Sequence, residues 1–184
     1  DVANAILDGS DAVMLSGETA IGKHPIESLE AMVSIIREVE SSGFLDQGPI
    51  YGTFSGSHKR GGATPREHAV ASATVEVARQ LEVPAIIVIT RSGFSARLVS
   101  SYRPKAPLFA VCTDDYTCRQ LAAVWGVYPV LAEDVEVSYE ALSQFGKNVV
   151  LQRGFGISGD SIVVTSGFPF NISGTTNTMR VEVI

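Results

Sequence analysis

The chain has 184 residues, 45% hydrophobic and 18% charged, and a formal net charge of −6. That apolar fraction excludes a disordered chain, and two cysteines exclude a disulfide-built scaffold and fit a reducing compartment. No apolar run nears the roughly 20 residues that cross a bilayer, which argues against a membrane; no leader pattern opens the sequence, and mild acidity argues against nucleic acid as partner, so a soluble, cytoplasmic globular protein is expected.

In chain order, DVANAILDG reads as a helix stopped by Gly9, and DAVMLS (Asp11 to Ser16) as a short strand. A loop, GETAIGKH, leads to a helix begun by Pro25, with Ile26, Leu29, Val33, Ile36 and Val39 at helical spacing. One strand with two helices cannot bury both its faces, so the sequence reads as starting in the middle of a larger fold. Residues 41–64 are rich in glycine and serine and read as a linker. Thr64, Pro65 and Glu67 then form a capping box, opening a helix whose expected buried stripe is Val70, Ala73, Val77 and Leu81.

From there strands and helices alternate. AIIVIT (85–90), PLFAVC (107–112), GVYPVL (126–131), SIVVTS (161–166) and TMRVEVI (178–184) read as strands. Helices are expected at FSARLVSSY, at DDYTCRQLAAVW and over about 136–152. The fold class is α/β: a mainly parallel five-stranded sheet with helices on both faces and an antiparallel last strand.

Charge is uneven along this order. Residues 1–46 hold nine acids and two bases, residues 47–105 three acids and eight bases, and residues 106–184 eight acids and four bases. The positive middle suits a small anion, or it is a set of solvated helix faces. It ends near Thr90-Arg91-Ser92-Gly93-Phe94-Ser95, where three hydroxyls and a glycine follow a strand and precede a helix. Such a junction cradles phosphate, or its serines cap the helix. The connection from Gly167 to Asn177, GFPFNISGTTN, is longer than a hairpin needs and leaves the same sheet edge, so the two loops can clamp one ligand, or it is a disordered flap. Ser16-Gly17-Glu18-Thr19, after the first expected strand, is a weaker candidate for a barrel active site, or a polar loop capping the helix begun by Pro25. Cys112 and Cys118 lack histidine neighbours, the three histidines are scattered, and Trp125 and Tyr128 read as core residues. No dinucleotide fingerprint or P-loop is present.

The stretch LDGSDAVMLSGETAIGKHP, followed by AIIVITRSGFSARLVSSYRPKAP, WGVYPVL and SGTTNTMRVEVI, resembles the pyruvate kinase family. The resemblance covers essentially the whole chain, least over about 41–65. It implies that residues 1–40 are the last strand and helix of a (β/α)8 barrel, 41–64 a linker, and 65–184 a C-terminal domain that serves allostery and assembly. The implied parent is an ATP-forming phosphotransferase of glycolysis that takes phosphate from phosphoenolpyruvate to ADP with Mg2+ and K+, commonly as a homotetramer. The family's catalytic lysine and metal ligands belong to earlier barrel segments, so neither activity nor a bound metal is expected of this chain alone.

By the same resemblance Ser16 and Glu18 line the active site. Thr90, Arg91, Ser92, Gly93, Phe94 and Ser95 form an effector phosphate loop, and Phe170, Asn171, Ser173, Gly174 and Thr175 a second effector loop. Val135 and Leu142 stand where fructose-bisphosphate-binding members carry a tryptophan and an arginine. That departure favours a monophosphate effector, a sugar phosphate or AMP, over fructose 1,6-bisphosphate. Two other readings stand beside this one: a standalone, non-catalytic phosphometabolite-binding module, and an unrelated flavodoxin-like protein.

Overall fold

A computed structural model describes residues 1–45, 63–169 and 175–184. The chain divides into two compact units, residues 1–52 and 53–184. Most of the expected linker lies outside the described residues.

Among its described residues the first unit holds three helices, α1 (Val2–Leu7), α2 (Gly17–Ala20) and α3 (Pro25–Ser41). Gly9 ends α1 as expected: its φ of +90° is left-handed, and Ser10 N–H then reaches back to the Ala5 carbonyl at 2.9 Å. The strand expected over Asp11 to Ser16 is absent, since those residues carry neither helix nor ladder. A strand exists only by pairing, and among the described residues of this unit no other strand is present to pair with it. In α3, Val33, Ile36 and Val39 are half-buried, whereas Ile26 and Leu29 are exposed.

The second unit is a three-layer α/β fold. Helix α4 (Pro65–Gln80) leads to β1 (Ile86–Thr90), α5 (Phe94–Ser100), β2 (Leu108–Cys112), α6 (Asp115–Leu121), β3 (Val127–Leu131), α7 (Tyr139–Gln152), β4 (Ser161–Ser166) and β5 (Thr178–Val183). The sheet order is β3-β2-β1-β4-β5, parallel except for the antiparallel β4–β5 pair. The alternation of strand side chains builds two cores. Ile86, Val88, Leu108, Ala110 and Val163 face α4, α5 and α6, while Ile87, Ile89, Phe109, Val111, Ile162 and Val164 face α7.

The capping box of α4 forms, with Thr64 N–H donating to Glu67 Oε2 at 2.6 Å. Its buried stripe differs from the expected one: Ala71, Thr74 and Ala78 are buried, Ala73 is exposed, Leu81 is 47% exposed, and Val70 and Val77 are half-buried. Small residues let the helix axis approach the sheet, so the seam follows them and the larger side chains flank it. Helix α7 does the same through Ser143 and Gly146, where a Cβ on Gly146 would lie 2.9 Å from Ile87 Cγ2. Tyr128, read as core, is 41% exposed and stacks on Phe109 with centroids 5.4 Å apart, because β3 is an edge strand. Trp125 is half-buried beneath the Arg103 guanidinium, 4.7 Å from its ring centre.

Candidate functional site

The chain leaves β1 through α5 toward β2 on one side of the sheet, and enters β4 from α7 on the other. The carboxyl ends of β1 and β4 are therefore a topological switch point, where connections diverge and leave a crevice. Both candidate loops start there, because Ile86 to Ile89 pair in register with Val163 to Ser166.

The first loop is tightly built. Thr90 ends β1 buried, Arg91 and Ser92 are exposed, and Gly93 turns the chain into α5 at φ +77°. A side chain there would be strained, and its Cβ would lie 2.6 Å from Arg97 Nη1. Arg97 is exposed, and its guanidinium reaches back along the loop. Its Nη1 donates to the Ser92 carbonyl at 3.1 Å and its Nη2 to Gln120 Oε1 at 3.1 Å. Thr117 on α6 donates its hydroxyl to the Arg91 carbonyl at 3.1 Å, while Asp114 caps α6 by accepting the Thr117 N–H at 2.9 Å. Both loop carbonyls are thus tied toward the protein, leaving Ser92 and Arg91 on the outer surface.

The second loop is closed at its root. Asn177 accepts the Phe168 N–H at 2.9 Å and donates to the Phe168 carbonyl at 2.6 Å. A Cβ on Gly167 would lie 2.1 Å from the Thr175 carbonyl oxygen, so only glycine fits that approach. The two loops meet through hydroxyls: Thr176 donates to Ser95 Oγ at 2.7 Å, and Ser95 donates to the Thr175 carbonyl at 3.4 Å.

Of the residues expected to hold a ligand, the structure therefore brings Thr90 to Ser95 and Thr175 to one place. Thr90 and Ser95 are buried, Phe94 is half-buried, and Thr175 meets Ser95 through its backbone. Phe170, Asn171, Ser173 and Gly174 lie outside the described residues. Leu142 is buried in the core under α7, and Val135 packs half-buried against that core, so neither presents a polar group. Sequence reasoning missed Thr117, Thr176 and the bond from Arg97 to the Ser92 carbonyl. Thr176, beside the expected Thr175 in TTNT, is the one a local reading had some means to find.

Ser16 and Glu18 belong to the first unit. The Ser16 N–H donates to Glu18 Oε2 at 3.0 Å, so the carboxylate caps its own turn. Backbone N–H groups of Glu18 itself and of Ser16 hold this carboxyl below the usual carboxylate range. Both side chains are exposed. Among the described residues no three His, Cys, Asp or Glu side chains converge on a metal position. Cys112 and Cys118 are both buried free thiols, and burial pushes each upward from the ordinary thiol range. Among the described residues, no helix is long and apolar enough to cross a membrane.

A family model described as "Pyruvate kinase, alpha/beta domain" matches residues 68–182, and one described as "Pyruvate kinase, barrel domain" matches residues 1–29. The whole chain is 39% identical to a protein of Clostridium acetobutylicum named "Pyruvate kinase", covering 37% of it. It is likewise 40% identical over its full length to "Pyruvate kinase 2" of Synechocystis, covering 29% of that protein. Against the "Pyruvate kinase" of Agrobacterium vitis it is 40% identical over 181 residues, 98% of this chain and 37% of the relative. The chain thus spans about a third of the length of these relatives.

Proposed function

This chain belongs to the pyruvate kinase family, and from that we propose that it is part of a cytoplasmic enzyme transferring phosphate from phosphoenolpyruvate to ADP. Its α/β unit binds a phosphorylated effector and contributes to the assembly of subunits, and residues 1–40 are the end of the catalytic barrel. The observation carrying the regulatory part is the meeting of two loops at the switch point, with Ser92 and Arg91 outward. An exposed hydroxyl, an arginine and a backbone turned with its carbonyls inward suit a phosphate monoester.

Phosphoryl transfer rests on positioning and on neutralising phosphate charge, which Mg2+ and K+ supply when bound. Glu18, with its carboxylate turned into its own loop, does not make a donor set for either ion. Ser16 and Glu18 instead sit at the edge of the reacting pocket, ordering the water that delivers a proton to the enolpyruvate. On this proposal the 184-residue chain alone is inactive, and phosphoenolpyruvate-dependent ATP formation by it would refute that.

Calorimetry with glucose 6-phosphate, AMP and fructose 1,6-bisphosphate tests the effector reading. A monophosphate should bind, and Ser92→Glu should abolish binding by placing a carboxylate against the anion. With Val135 and an already buried Leu142 in place of two gripping groups, the bisphosphate should bind no more tightly than the monophosphates. Tight bisphosphate binding lost in Ser92→Glu would overturn the monophosphate preference, and no binding of any of the three would overturn the effector reading.

A further inference from the structure

We propose that Cys112 and Cys118 form a peroxide-oxidisable dithiol site, which closes to a disulfide fastening the short helix α6 to the end of β2. The site lies outside the two loops at the switch point and is independent of the effector reading.

The chain has two cysteines, so a disulfide within it has a single possible pairing. Cys112 is the last residue of β2, in register with Thr90 of β1 on one side and Leu131 of β3 on the other, and it is fully buried. Cys118 lies on α6 and is 9% exposed. Both belong to the core that the sheet shares with α4, α5 and α6. Thr113 and Asp114 are all that separates strand from helix, so the two side chains stay close through any local opening of α6. The Cys112 thiol donates to the Ala110 carbonyl at 3.4 Å, and the two sulfurs are in hydrogen-bond contact with each other.

That contact makes the sulfurs unequal. Burial raises both thiols, and the bond between them then works against the Cys112 thiolate and in favour of the Cys118 thiolate. Cys118 is also the sulfur that solvent reaches. Its thiolate attacks one oxygen of a hydroperoxide and the O–O bond breaks, leaving a sulfenic acid. The hydroxide released takes back the proton that Cys118 gave up and departs as water. The Cys112 sulfur then attacks the Cys118 sulfur, the S–O bond breaks, and the hydroxyl leaves with the Cys112 proton as a second water. Two thiols are oxidised and one hydrogen peroxide is reduced, giving one disulfide and two waters. Burial slows the first step, because little thiolate forms and little of its surface is open. The second step is not slowed, since the resolving sulfur is already in contact. A sulfenic acid held against a thiol closes before a second peroxide arrives, so the product is the reversible disulfide and not the sulfinic acid.

The test exposes the full folded chain to hydrogen peroxide in buffer over hours, then unfolds and digests it with trypsin. The fragment Ala106–Arg119 holds both cysteines and no methionine, so oxygen taken up by the exposed Met14 does not confuse its mass. In the wild type this fragment should lose about 2 Da, two hydrogen atoms, and regain them with dithiothreitol. No disulfide-linked pair of chains should form, and amide exchange of residues 115–121 should slow in the oxidised chain. Cys112→Ser removes the resolving thiol, so its fragment should gain about 16 or 32 Da instead, and dimedone should label Cys118. Cys118→Ser leaves the fully buried Cys112 and should keep its mass over the same time. A wild-type fragment that gains oxygen without closing would overturn the proposal. So would a wild type left unchanged, or a Cys118→Ser chain oxidised as fast as the wild type. The wild-type product decides the site by itself, even where a serine variant fails to fold.

Discussion

Glu182 offers the sharpest test of how the α/β unit is held together. It sits on the edge strand β5 with its side chain turned onto α7 and 20% exposed. There it accepts hydrogen bonds from the Tyr139 hydroxyl, from Ser143 Oγ at 2.9 Å and from Lys147 Nζ at 3.0 Å. The three donors stand at i, i+4 and i+8, one stripe of a single helix, so one carboxylate fastens two turns of α7 to the last strand. Glu182→Ala leaves the Lys147 ammonium, only 14% exposed, with the Val183 carbonyl at 3.4 Å and removes the carboxylate that accepts from two buried hydroxyls. Removing one partner of a mostly buried pair costs about 3 kcal/mol. Glu182→Gln keeps an acceptor but loses the charge, and should cost about 1–2 kcal/mol. Urea unfolding followed by Trp125 fluorescence reads this unit, since it carries the chain's one tryptophan. The pH dependence has a definite sign. Burial alone would raise the Glu182 carboxyl, but the bonds from Tyr139, Lys147 and Ser143 outweigh it and leave it lowered. A carboxyl lowered on folding stabilises fully above its unfolded value near pH 4.3 and loses that contribution as pH falls through its folded value. The wild type should therefore lose more stability between pH 5 and 3 than Glu182→Gln does. A cost under about 0.5 kcal/mol for Glu182→Ala, the range of an ordinary surface change, would refute the reasoning. So would equal pH slopes.

Three further outcomes follow from the same geometry. Gly146→Ala should destabilise by about 1–3 kcal/mol in urea, despite alanine's helix propensity, because the new Cβ meets Ile87 at 2.9 Å and Val111 at 3.1 Å. Thr64→Ala breaks the capping box of α4 and should lower stability by about 1 kcal/mol in the same titration. Cys112 and Cys118 should resist a thiol reagent in buffer at pH 8 and react fully in urea, since burial both shields them and raises them away from the thiolate.

Much of the α/β unit was open to a sequence reading because its strands are short apolar runs separated by signalled helices. Thr64-Pro65 and Gly9 marked real boundaries through chemistry local to a few residues. The buried stripe of α4 escaped because hydrophobicity ranks Val70 and Leu81 above Ala71 and Thr74, whereas the sheet admits whichever residue is small enough. The expected strand at Asp11 to Ser16 failed for a different reason: a strand's partner is never written in its own residues. At the site, the count of three hydroxyls in Thr90 to Ser95 was right, but composition says nothing of which are already engaged. Thr117 to Arg91 spans 26 positions and Thr176 to Ser95 spans 81, so neither contact leaves a local pattern.

The two fastenings of the β4–β5 hairpin differ in what they protect. The register runs from Ser161 opposite Val183 to Ser166 opposite Thr178, so Glu182 lies at one end of the ladder and Thr176 just beyond the other. Glu182 joins a strand to the helix that covers half the core, and its loss is felt as a sizeable share of the 5–15 kcal/mol that holds a domain together. Ser95–Thr176 joins two loops whose backbones are already secured by Thr117, Arg97 and Asn177, and its loss costs only about 1 kcal/mol. A change at the loop end therefore leaves the fold populated. The hairpin is strongly fixed where it supports the sheet and lightly fixed where Thr176 meets the β1–α5 junction.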